Sequence, residues 1–294
     1  MAKEITVKSV LRKHKKRDDW FLIDYSANPY PYCPFGCVYC YVHGSKYGQH
    51  MHNEPTVKIN AAEVFEKQLA RRAKKKEYGF IGLASMEPYQ PIEKQYRMIR
   101  KMLEICLKYK FPVSILTKSP MVTDDLELLQ KINGSAILPK DLQGRLKFKV
   151  VVSFSFSSVS DELAKIWEPG APLPSKRLEA LKKCHEAGLY TGAFFMPVLP
   201  FITDTEAELE NMFKVVEQQG ADCVLVGGLT LYGAGPKDCK TAYYQTLQKY
   251  YPELAEKTKQ LFMGNWAPSW TYQGQLTKMS KQLARKNNLQ YGLS

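Results

Sequence analysis

The stretch CPFGCVYC, residues 33–40, decides the fold and the chemistry, because it places three thiols on one short segment. Its cysteines, Cys33, Cys37 and Cys40, are spaced by four and three residues. Pro34 and Gly36 favour a tight turn, and a loop can aim several thiolates at one centre as a straight strand cannot. Thiolates are the usual ligands of iron-sulfur clusters and of zinc. Three cysteines on a four-iron cluster leave one iron open, which is what a reactive metal site requires.

A structural zinc site is the main alternative for these thiols. Zinc sites usually take ligands in pairs separated by two to four residues, and Cys37 with Cys40 forms such a pair. Cys33 would be the third ligand, and a nearby histidine would be the fourth: His43, His50 or His52. Spacing alone favours the iron-sulfur site but leaves zinc, and cysteines without any ligand, open.

Around this stretch, short apolar runs alternate with amphipathic helical stretches, which is the pattern of βα units around a parallel sheet. Six strands are predicted, several of them nearly continuous in apolar residues, at 21–25, 79–84, 112–116, 148–154, 190–197 and 223–226. Helices are predicted at 61–75, 92–109, 124–132, 175–187 and 205–219. The fold class is therefore α/β, a partial (β/α)6 barrel of the TIM type, with the cysteines soon after the first strand.

The pattern changes after Leu231, where tyrosine-rich and mainly helical sequence runs from residue 241 to 288. No internal repeat beyond the βα period and no low-complexity linker divides the chain. We therefore predict a basic N-terminal tail at 1–19, a barrel core at 20–230 and a helical C-terminal extension at 231–294.

The composition is that of an ordinary globular protein, with 45% hydrophobic and 24% charged residues. No apolar run approaches the roughly 18 residues of a membrane span, and the lysine-rich N-terminus lacks the apolar stretch of a secretory signal. Seven unevenly placed cysteines argue against a disulfide scaffold and for a reducing compartment. We expect a cytoplasmic protein with no membrane partner. The other cysteines are first interpreted as core or surface thiols: Cys106, Cys184, Cys223 and Cys239.

The formal net charge of +13 is concentrated in two basic runs, at residues 12–17 and 71–76. Such runs bind phosphate backbones, so nucleic acid is one predicted partner. The alternative is that both runs are solvated faces, the second at a helix end where cations complement the helix dipole. Charge alone leaves both interpretations open.

At the cysteines the chain resembles the radical SAM superfamily, whose signature is C-x3-C-x2-C with an aromatic residue, here Tyr39, before the last cysteine. Within that superfamily it is similar to the spore photoproduct lyase-like group. The matching segments are NPY at 28–30, EPYQP at 87–91, ILTKSP at 115–120, WEPG at 167–170, RL at 177–178 and MPVLP at 196–200. The resemblance covers about residues 20–230 and implies a barrel of the radical SAM type.

This resemblance implies a [4Fe-4S] cluster on Cys33, Cys37 and Cys40. It also implies that S-adenosyl-L-methionine chelates the open iron through its amino and carboxylate groups. One electron, from an electron donor of the flavodoxin or ferredoxin type, then breaks a sulfur-carbon bond of this cofactor. The products are methionine and a 5′-deoxyadenosyl radical, which abstracts a hydrogen atom from the substrate.

The resemblance, with the rule that barrel enzymes build sites at the carboxyl ends of their strands, assigns a set of cofactor-binding residues. They are Tyr39 of the signature, Ser85 and Glu87 for the methionine ammonium, Lys118 for the carboxylate, and Ser153 or Ser155 for the ribose. The simpler interpretation makes Lys118 a surface lysine and the serines fillers of a narrow interior.

Weaker candidates flank these positions. Glu168 and Arg177 are expected either to frame the site as an ion pair or to cap the next helix. Small residues permit close approach of a planar group: Ala193, Gly227 and Gly228. Several tyrosines are candidates for the substrate entrance: Tyr30, Tyr32, Tyr41, Tyr47 and Tyr89.

One departure from the lyase leaves the substrate open. The lyase returns a hydrogen atom from a cysteine near the end of the second strand, where this chain has Leu83, Ala84 and Ser85. Two enzyme hypotheses remain, one with a nucleic acid substrate and one with a small molecule or peptide. A zinc-stabilised nucleic-acid-binding protein is the alternative without catalysis. No catalytic residue is assigned, and the oligomeric state stays open.

Overall fold

The computed structural model describes residues 2–49, 51–84 and 86–293. The strands are β1 (Lys3–Ile5), β2 (Leu11–Asp18), β3 (Ile23–Ala27), β4 (Thr56–Lys58), β5 (Ile81–Leu83), β6 (Val113–Thr117), β7 (Val150–Phe156), β8 (Tyr190–Phe195), β9 (Cys223–Val226) and β10 (Gln290–Tyr291). The helices are α1 (Ala61–Lys74), α2 (Glu93–Tyr96), α3 (Met98–Tyr109), α4 (Leu126–Ser135), α5 (Asp161–Trp167), α6 (Pro174–Glu186), α7 (Glu206–Gln218), α8 (Cys239–Tyr250), α9 (Pro252–Phe262) and α10 (Trp270–Lys286).

Eight strands form one sheet in the order β10-β9-β8-β7-β6-β5-β3-β2, and β1 pairs with β4 separately. β3 and β5 to β9 are parallel, with helices in the connections, which confirms the predicted partial (β/α)6 barrel. β10 adds a parallel strand at one edge, and β2 adds an antiparallel strand at the other. Because the six core strands point the same way, the loops that follow them meet at one end of the barrel. We call this end the carboxyl edge.

Burial on both faces explains why the core strands read as apolar runs. All seven residues of β7 are buried. Val152 and Phe154 belong to the core between sheet and helices, whereas Val151 belongs to a separate cluster in the barrel interior. Phe21 and Leu22, in the turn between β2 and β3, pack into that interior cluster. Large side chains therefore fill the interior near the amino ends of the strands.

The basic run at 12–17, predicted as part of a tail, lies instead in β2, so that prediction is wrong for these residues. Leu11 pairs with Ala27 and Asp18 with Ile23, so β2 covers the free edge of β3. The cations obscure the alternating pattern of a strand in the sequence. An edge strand can carry them because it buries few side chains, and its charges discourage pairing with further strands. The limits of the three predicted segments otherwise stay predictions.

The helix predicted at 92–109 is two helices, because Arg97 adopts a left-handed conformation with φ of 52°. The carboxylate of Glu93 accepts hydrogen bonds from the backbone N of Ile99 (3.0 Å) and of Arg100 (3.2 Å), which caps α3. No glycine or proline marks this break. The sequence analysis also missed α5, where Ser160 Oγ accepts from the backbone N of Leu163 (3.4 Å).

The predicted C-terminal extension contains three helices, α8 to α10, and ends in the unpredicted β10, which pairs with β9. Trp167 of α5 packs against Tyr243 of α8, with ring centroids 4.9 Å apart. The extension is thus held to the barrel at two places. Of the helices in the described ranges, none combines the length and the apolar character needed to cross a membrane.

Candidate functional site

The cysteine loop, residues 33–40, follows β3 at the carboxyl edge and is held there by the turn after α5. Val38 N donates to Trp167 O (2.9 Å), and Gly170 N donates to Phe35 O (2.9 Å). A Cβ atom at Gly170 would lie 2.8 Å from Pro34 O, so this turn packs directly on the loop backbone. The WEPG segment therefore acts as a clamp on the cysteine loop.

The three cysteines of the loop are unpaired thiols of intermediate exposure. Burial raises the pKa of Cys33 to about 12 and moves the pKa values of Cys37 and Cys40 in the same direction. The Lys118 ammonium opposes this shift at Cys37 and Cys40. Such thiols become thiolates when metal cations bind, so the donor set fits an iron-sulfur cluster.

The described residues contain no group of three or more His, Cys, Asp and Glu side chains that could hold a metal ion. In a four-iron cluster each thiolate binds a different iron, whereas the ligands of zinc must meet at one atom. Of the candidate fourth zinc ligands, His50 lies outside the described residues.

Below the loop lies a buried network centred on Glu168, whose side chain is fully buried. Its Oε1 accepts from Lys118 Nζ (3.0 Å), from Ser157 Oγ (2.8 Å) and from the hydroxyl of Tyr39. Its Oε2 accepts from Arg177 Nη2. The weak candidates Glu168 and Arg177 are thus brought together with Tyr39 and Lys118 of the predicted cofactor site.

This network carries one more positive than negative charge, since one carboxylate faces two cations. Burial alone would raise the pKa of Glu168, but Lys118 and Arg177 outweigh it and lower that pKa to about 2. Glu168 therefore stays charged at neutral pH and offsets one of the two cations, and the buried carboxyl group of Glu87 also interacts with Lys118. The Lys118 ammonium favours a thiolate at Cys37 and at Cys40.

Lys118 follows β6 and is mostly buried, with 12% of its side chain exposed. Its Nζ donates to Ser155 Oγ (3.0 Å) as well as to Glu168. It also lies over the Tyr39 ring, 5.9 Å from the centroid. The structure therefore contradicts the interpretation of Lys118 as an ordinary surface lysine.

Glu87 follows β5 and is buried, and burial raises its pKa. Its carboxylate accepts from Tyr89 N (3.0 Å), from Lys118 N (2.9 Å) and from the hydroxyl of Thr117. These bonds tie the loop after β5 to the loop after β6. The assignment of Glu87 to the cofactor ammonium stays a prediction, and Ser85, assigned with it, lies outside the described residues.

The two serines of β7 differ in their surroundings. Ser155 Oγ accepts from Lys118 and donates to Met196 O (3.3 Å), whereas Ser153 Oγ is buried and has no hydrogen-bond partner in the described part of the chain. A Cβ at Gly192 would lie 2.6 Å from Ser153 Oγ, so only glycine leaves room beside it. Ser153 is the middle residue of β7, so a polar ligand group such as a ribose would have to reach into the barrel interior to bond its unpartnered hydroxyl.

Two of the five tyrosines predicted for the entrance are buried, which corrects that prediction. The hydroxyl of Tyr30 donates to Glu93, and that of Tyr89 donates to Asp125 (3.1 Å). Both belong to the core rather than to an entrance. Tyr41 and Tyr47 are exposed, and Tyr32 is half-buried.

Other predicted positions at the carboxyl edge are already in contact with side chains. Gly227 faces Met196 and Trp20, and a Cβ at Gly228 would lie 2.6 Å from Gln273 Oε1. Ala193 is in the core between sheet and helices. These contacts do not favour a planar ligand at Gly228.

The role of Ser157 in the network and the closeness of Cys239 to the cysteine loop were not predicted. Cys239 N donates to His43 O (3.2 Å), so the C-terminal extension contacts the segment that directly follows this loop. A signal for Ser157 existed, because it continues the alternation of Ser153 and Ser155. No local pattern links Cys239 to residues two hundred positions earlier.

A sequence model of the Radical SAM superfamily matches residues 27–215 of the chain. An uncharacterised protein of Mycobacterium tuberculosis is 27% identical over 244 residues, which cover 81% of this chain and 67% of that protein.

The fold is similar to solved structures of spore photoproduct lyase. One mutant of that enzyme matches with a TM-score of 0.66 and 16% identity, covering 95% of this chain and 79% of that chain. Another, with bound AdoMet and dinucleoside spore photoproduct, matches with a TM-score of 0.64 and 17% identity over 94% of this chain and 78% of that chain. At these identities the likeness shows the fold.

Proposed function

The chain belongs to the radical SAM superfamily and is a radical SAM enzyme, and on this premise we propose that Cys33, Cys37 and Cys40 hold a [4Fe-4S] cluster. When bound there with S-adenosyl-L-methionine, this cluster supplies a 5′-deoxyadenosyl radical by one-electron cleavage of the cofactor. The observation that carries the proposal is the buried network of Glu168, Lys118 and Arg177 beneath the cysteine loop.

The residues of this network have distinct tasks in the proposal. Glu168 holds Tyr39 and Lys118 in place, so the cysteine loop and the loop after β6 keep a fixed distance. Lys118 and Arg177 provide the excess positive charge that favours the cofactor carboxylate. Ser155, bonded to Lys118, is the more accessible of the two serines proposed for the ribose, and Ser153 is the one with a free hydroxyl.

The direct test is anaerobic iron-sulfur reconstitution, followed by dithionite reduction with S-adenosyl-L-methionine and measurement of iron, sulfide and 5′-deoxyadenosine. We expect the wild type to produce 5′-deoxyadenosine and Cys37→Ala to lose both cluster and product. Cys184→Ala is the matched control, since this buried thiol lies on α6 away from the loop. Zinc in place of iron, with no cleavage, would overturn the proposal.

We further propose that the substrate is a nucleic acid. The run at 12–17 supports this, because β2 begins where β3 ends, at the carboxyl edge: Arg12 pairs with Ser26. Arg12 and Lys15 are both exposed. The run at 71–76 ends α1, which leads to the amino end of β5. Only the first run begins at the carboxyl edge. It continues along β2 toward the amino end of the barrel, where Lys13 of this run and Arg72 of the second both pair with Glu77.

This placement gives a matched pair of variants for a binding test. Arg12→Glu with Lys15→Glu should weaken binding of a single-stranded oligonucleotide about tenfold and lower its salt dependence. Lys74→Glu with Lys75→Glu makes the same charge change at the end of α1, away from the carboxyl edge, and should have little effect. An equal loss of oligonucleotide affinity in both double variants would favour a small-molecule or peptide substrate. So would a wild type that binds no oligonucleotide at low salt. The cytoplasmic location and an electron donor of the flavodoxin or ferredoxin type stay predictions.

A further inference from the structure

The cysteine loop has an outer side, formed where the C-terminal extension packs on it. Gly44 packs against Tyr232, whose carbonyl oxygen would lie 2.6 Å from a Cβ at that glycine, and Cys239 N donates to His43 O (3.2 Å). We use the name outer face for the surface made by Tyr41, Lys46, Tyr47, Tyr232, Lys237 and Trp266. Tyr39 bonds to Glu168 below the loop, whereas Tyr41, two residues on, is exposed on this face. The Tyr39 side chain therefore reaches the barrel network, while the nearby Tyr41 side chain is open to solvent.

Aromatic rings occupy the middle of the outer face. Tyr41 and Tyr47 meet edge to face with centroids 5.6 Å apart, and Tyr232 and Trp266 stack at 5.2 Å. Tyr41, Tyr47 and Trp266 are 45%, 59% and 55% exposed, so large apolar surfaces are left in solvent beside the proposed cluster. Tyrosine and tryptophan are enriched at protein interfaces, where they form the energetic centre.

The charge around these rings has one sign. Residues 25–53 contain no aspartate or glutamate, and residues 223–252 contain a single one, Asp238. Asp238 accepts from Gly235 N (2.7 Å), so its carboxylate is used within its own loop. Lys46 and Lys237 are exposed, and neither forms an ion pair with the residues that the structure describes. The outer face is thus an aromatic patch with a positive rim, which complements an acidic partner.

We propose that the outer face docks a small acidic electron-transfer protein, the one-electron donor of the enzyme. This inference rests on the proposed function and deepens it by placing the partner. The donor loses one electron and the oxidised cluster gains it, with no atom transferred. Because Tyr41 directly follows Cys40, a partner on this face is separated from the cluster by the thickness of the cysteine loop. The rate of electron transfer falls steeply with distance, so this side of the loop is favourable for transfer from a docked donor to the cluster.

A nucleic acid is the competing occupant, because aromatic rings and lysines also bind unpaired bases and phosphates. The small number of exposed cations at the rim favours the protein donor, because a strand of phosphates needs a longer positive track.

The test uses the reconstituted holoenzyme and a flavodoxin as the probe. The variant Lys46→Glu with Lys237→Glu reverses the rim charge, and Lys101→Glu with Lys131→Glu makes the same change on the exposed sides of α3 and α4. Flavodoxin affinity at low salt is measured by calorimetry. Formation of 5′-deoxyadenosine is measured with reduced flavodoxin and, separately, with dithionite.

We expect the rim variant to bind flavodoxin at least about tenfold more weakly and to lose flavodoxin-driven turnover in proportion. Dithionite-driven turnover should be unchanged, since a small reductant needs no docking surface, and the α3 and α4 variant should match the wild type in every assay. Trp266→Ala, which keeps all charges, should also weaken flavodoxin binding severalfold.

Unchanged flavodoxin affinity in the rim variant overturns the inference. So does a loss of oligonucleotide affinity with flavodoxin affinity intact, which would assign the outer face to the substrate. A failure of the proposed function is distinguishable, because the wild type would then form no 5′-deoxyadenosine even with dithionite.

Discussion

Replacing Lys118 by methionine removes one of the two cations that stabilise the buried Glu168 carboxylate, with little change in side-chain volume. The two cations overcome the burial of Glu168 and bring its pKa from 4.5 to about 2. This corresponds to about 3 kcal/mol of stabilisation above the ordinary pKa. The charge of Lys118 is the largest single cause that lowers this pKa, and Arg177 acts through both its charge and a hydrogen bond. We therefore expect Lys118→Met to be about 2 kcal/mol less stable than the wild type near pH 7.

The dependence on pH follows from the lowered pKa of Glu168. A carboxyl group whose pKa is lower in the folded state stabilises the protein above its unfolded pKa, here 4.5, and this contribution is lost as the pH falls toward about 2. Because the variant lacks the part of the contribution that Lys118 makes, the difference in stability between the wild type and Lys118→Met should shrink as the pH falls below 4.5.

The assay is urea unfolding of both proteins, without added metal or cofactor, followed by circular dichroism at pH 7 and at steps down to pH 3. Lys165→Met is the control, since this lysine is exposed on α5 and pairs only with exposed Glu162. It should change the free energy of unfolding by less than about 0.5 kcal/mol. Equal stability of Lys118→Met and the wild type at pH 7, or a difference that persists undiminished at pH 3, would refute the reasoning.

Three further substitutions test the site. Gly170→Ala places a methyl group 2.8 Å from Pro34 O and should reduce iron retention after reconstitution, whereas Gly134→Ala, with nothing within 4 Å of its Cβ, should retain it fully. Tyr39→Phe removes a donor to buried Glu168 and should cost about 2 kcal/mol in urea unfolding; no loss would show that this hydrogen bond contributes nothing. Ser153→Ala should stabilise the cofactor-free protein by up to about 1 kcal/mol, because it removes an unpartnered buried hydroxyl, yet weaken S-adenosyl-L-methionine binding; unchanged binding would make Ser153 a space-filling residue.

Much of the barrel could be predicted from the sequence, because buried parallel strands leave strong apolar runs. Cys223–Val226 matches the predicted strand at both ends, and the predicted helix at 205–219 differs from α7 by one residue at each end. The edge strand β2 could not be predicted, since its pairing partner is determined by the tertiary structure and its cations resemble a solvated tail. The break at Arg97 was missed because no glycine or proline marks it, and a glutamate six residues before Ile99 is not recognisable in the sequence as a cap of α3.

For the site, a local motif predicted the cysteines as metal ligands, and the resemblance predicted Lys118 and the serines as cofactor-binding residues. The ion pair of Glu168 with Arg177 was one of the two arrangements expected from the sequence, and the structure shows it. The sequence could not show that Glu168 also bonds Tyr39 and Lys118, because these residues come from separate segments. Tyr30 was predicted at the substrate entrance, although its ring is buried. A tyrosine whose hydroxyl donates to a buried acceptor has no distinctive pattern in the sequence.

The most direct test of the central claim is electron paramagnetic resonance of the reconstituted, reduced wild type before and after addition of S-adenosyl-L-methionine. A cluster held by Cys33, Cys37 and Cys40 alone has one iron without a protein ligand, so the spectrum of a reduced [4Fe-4S] cluster should change on cofactor binding. A spectrum that the cofactor leaves unchanged, or no cluster signal despite bound iron, would contradict the account.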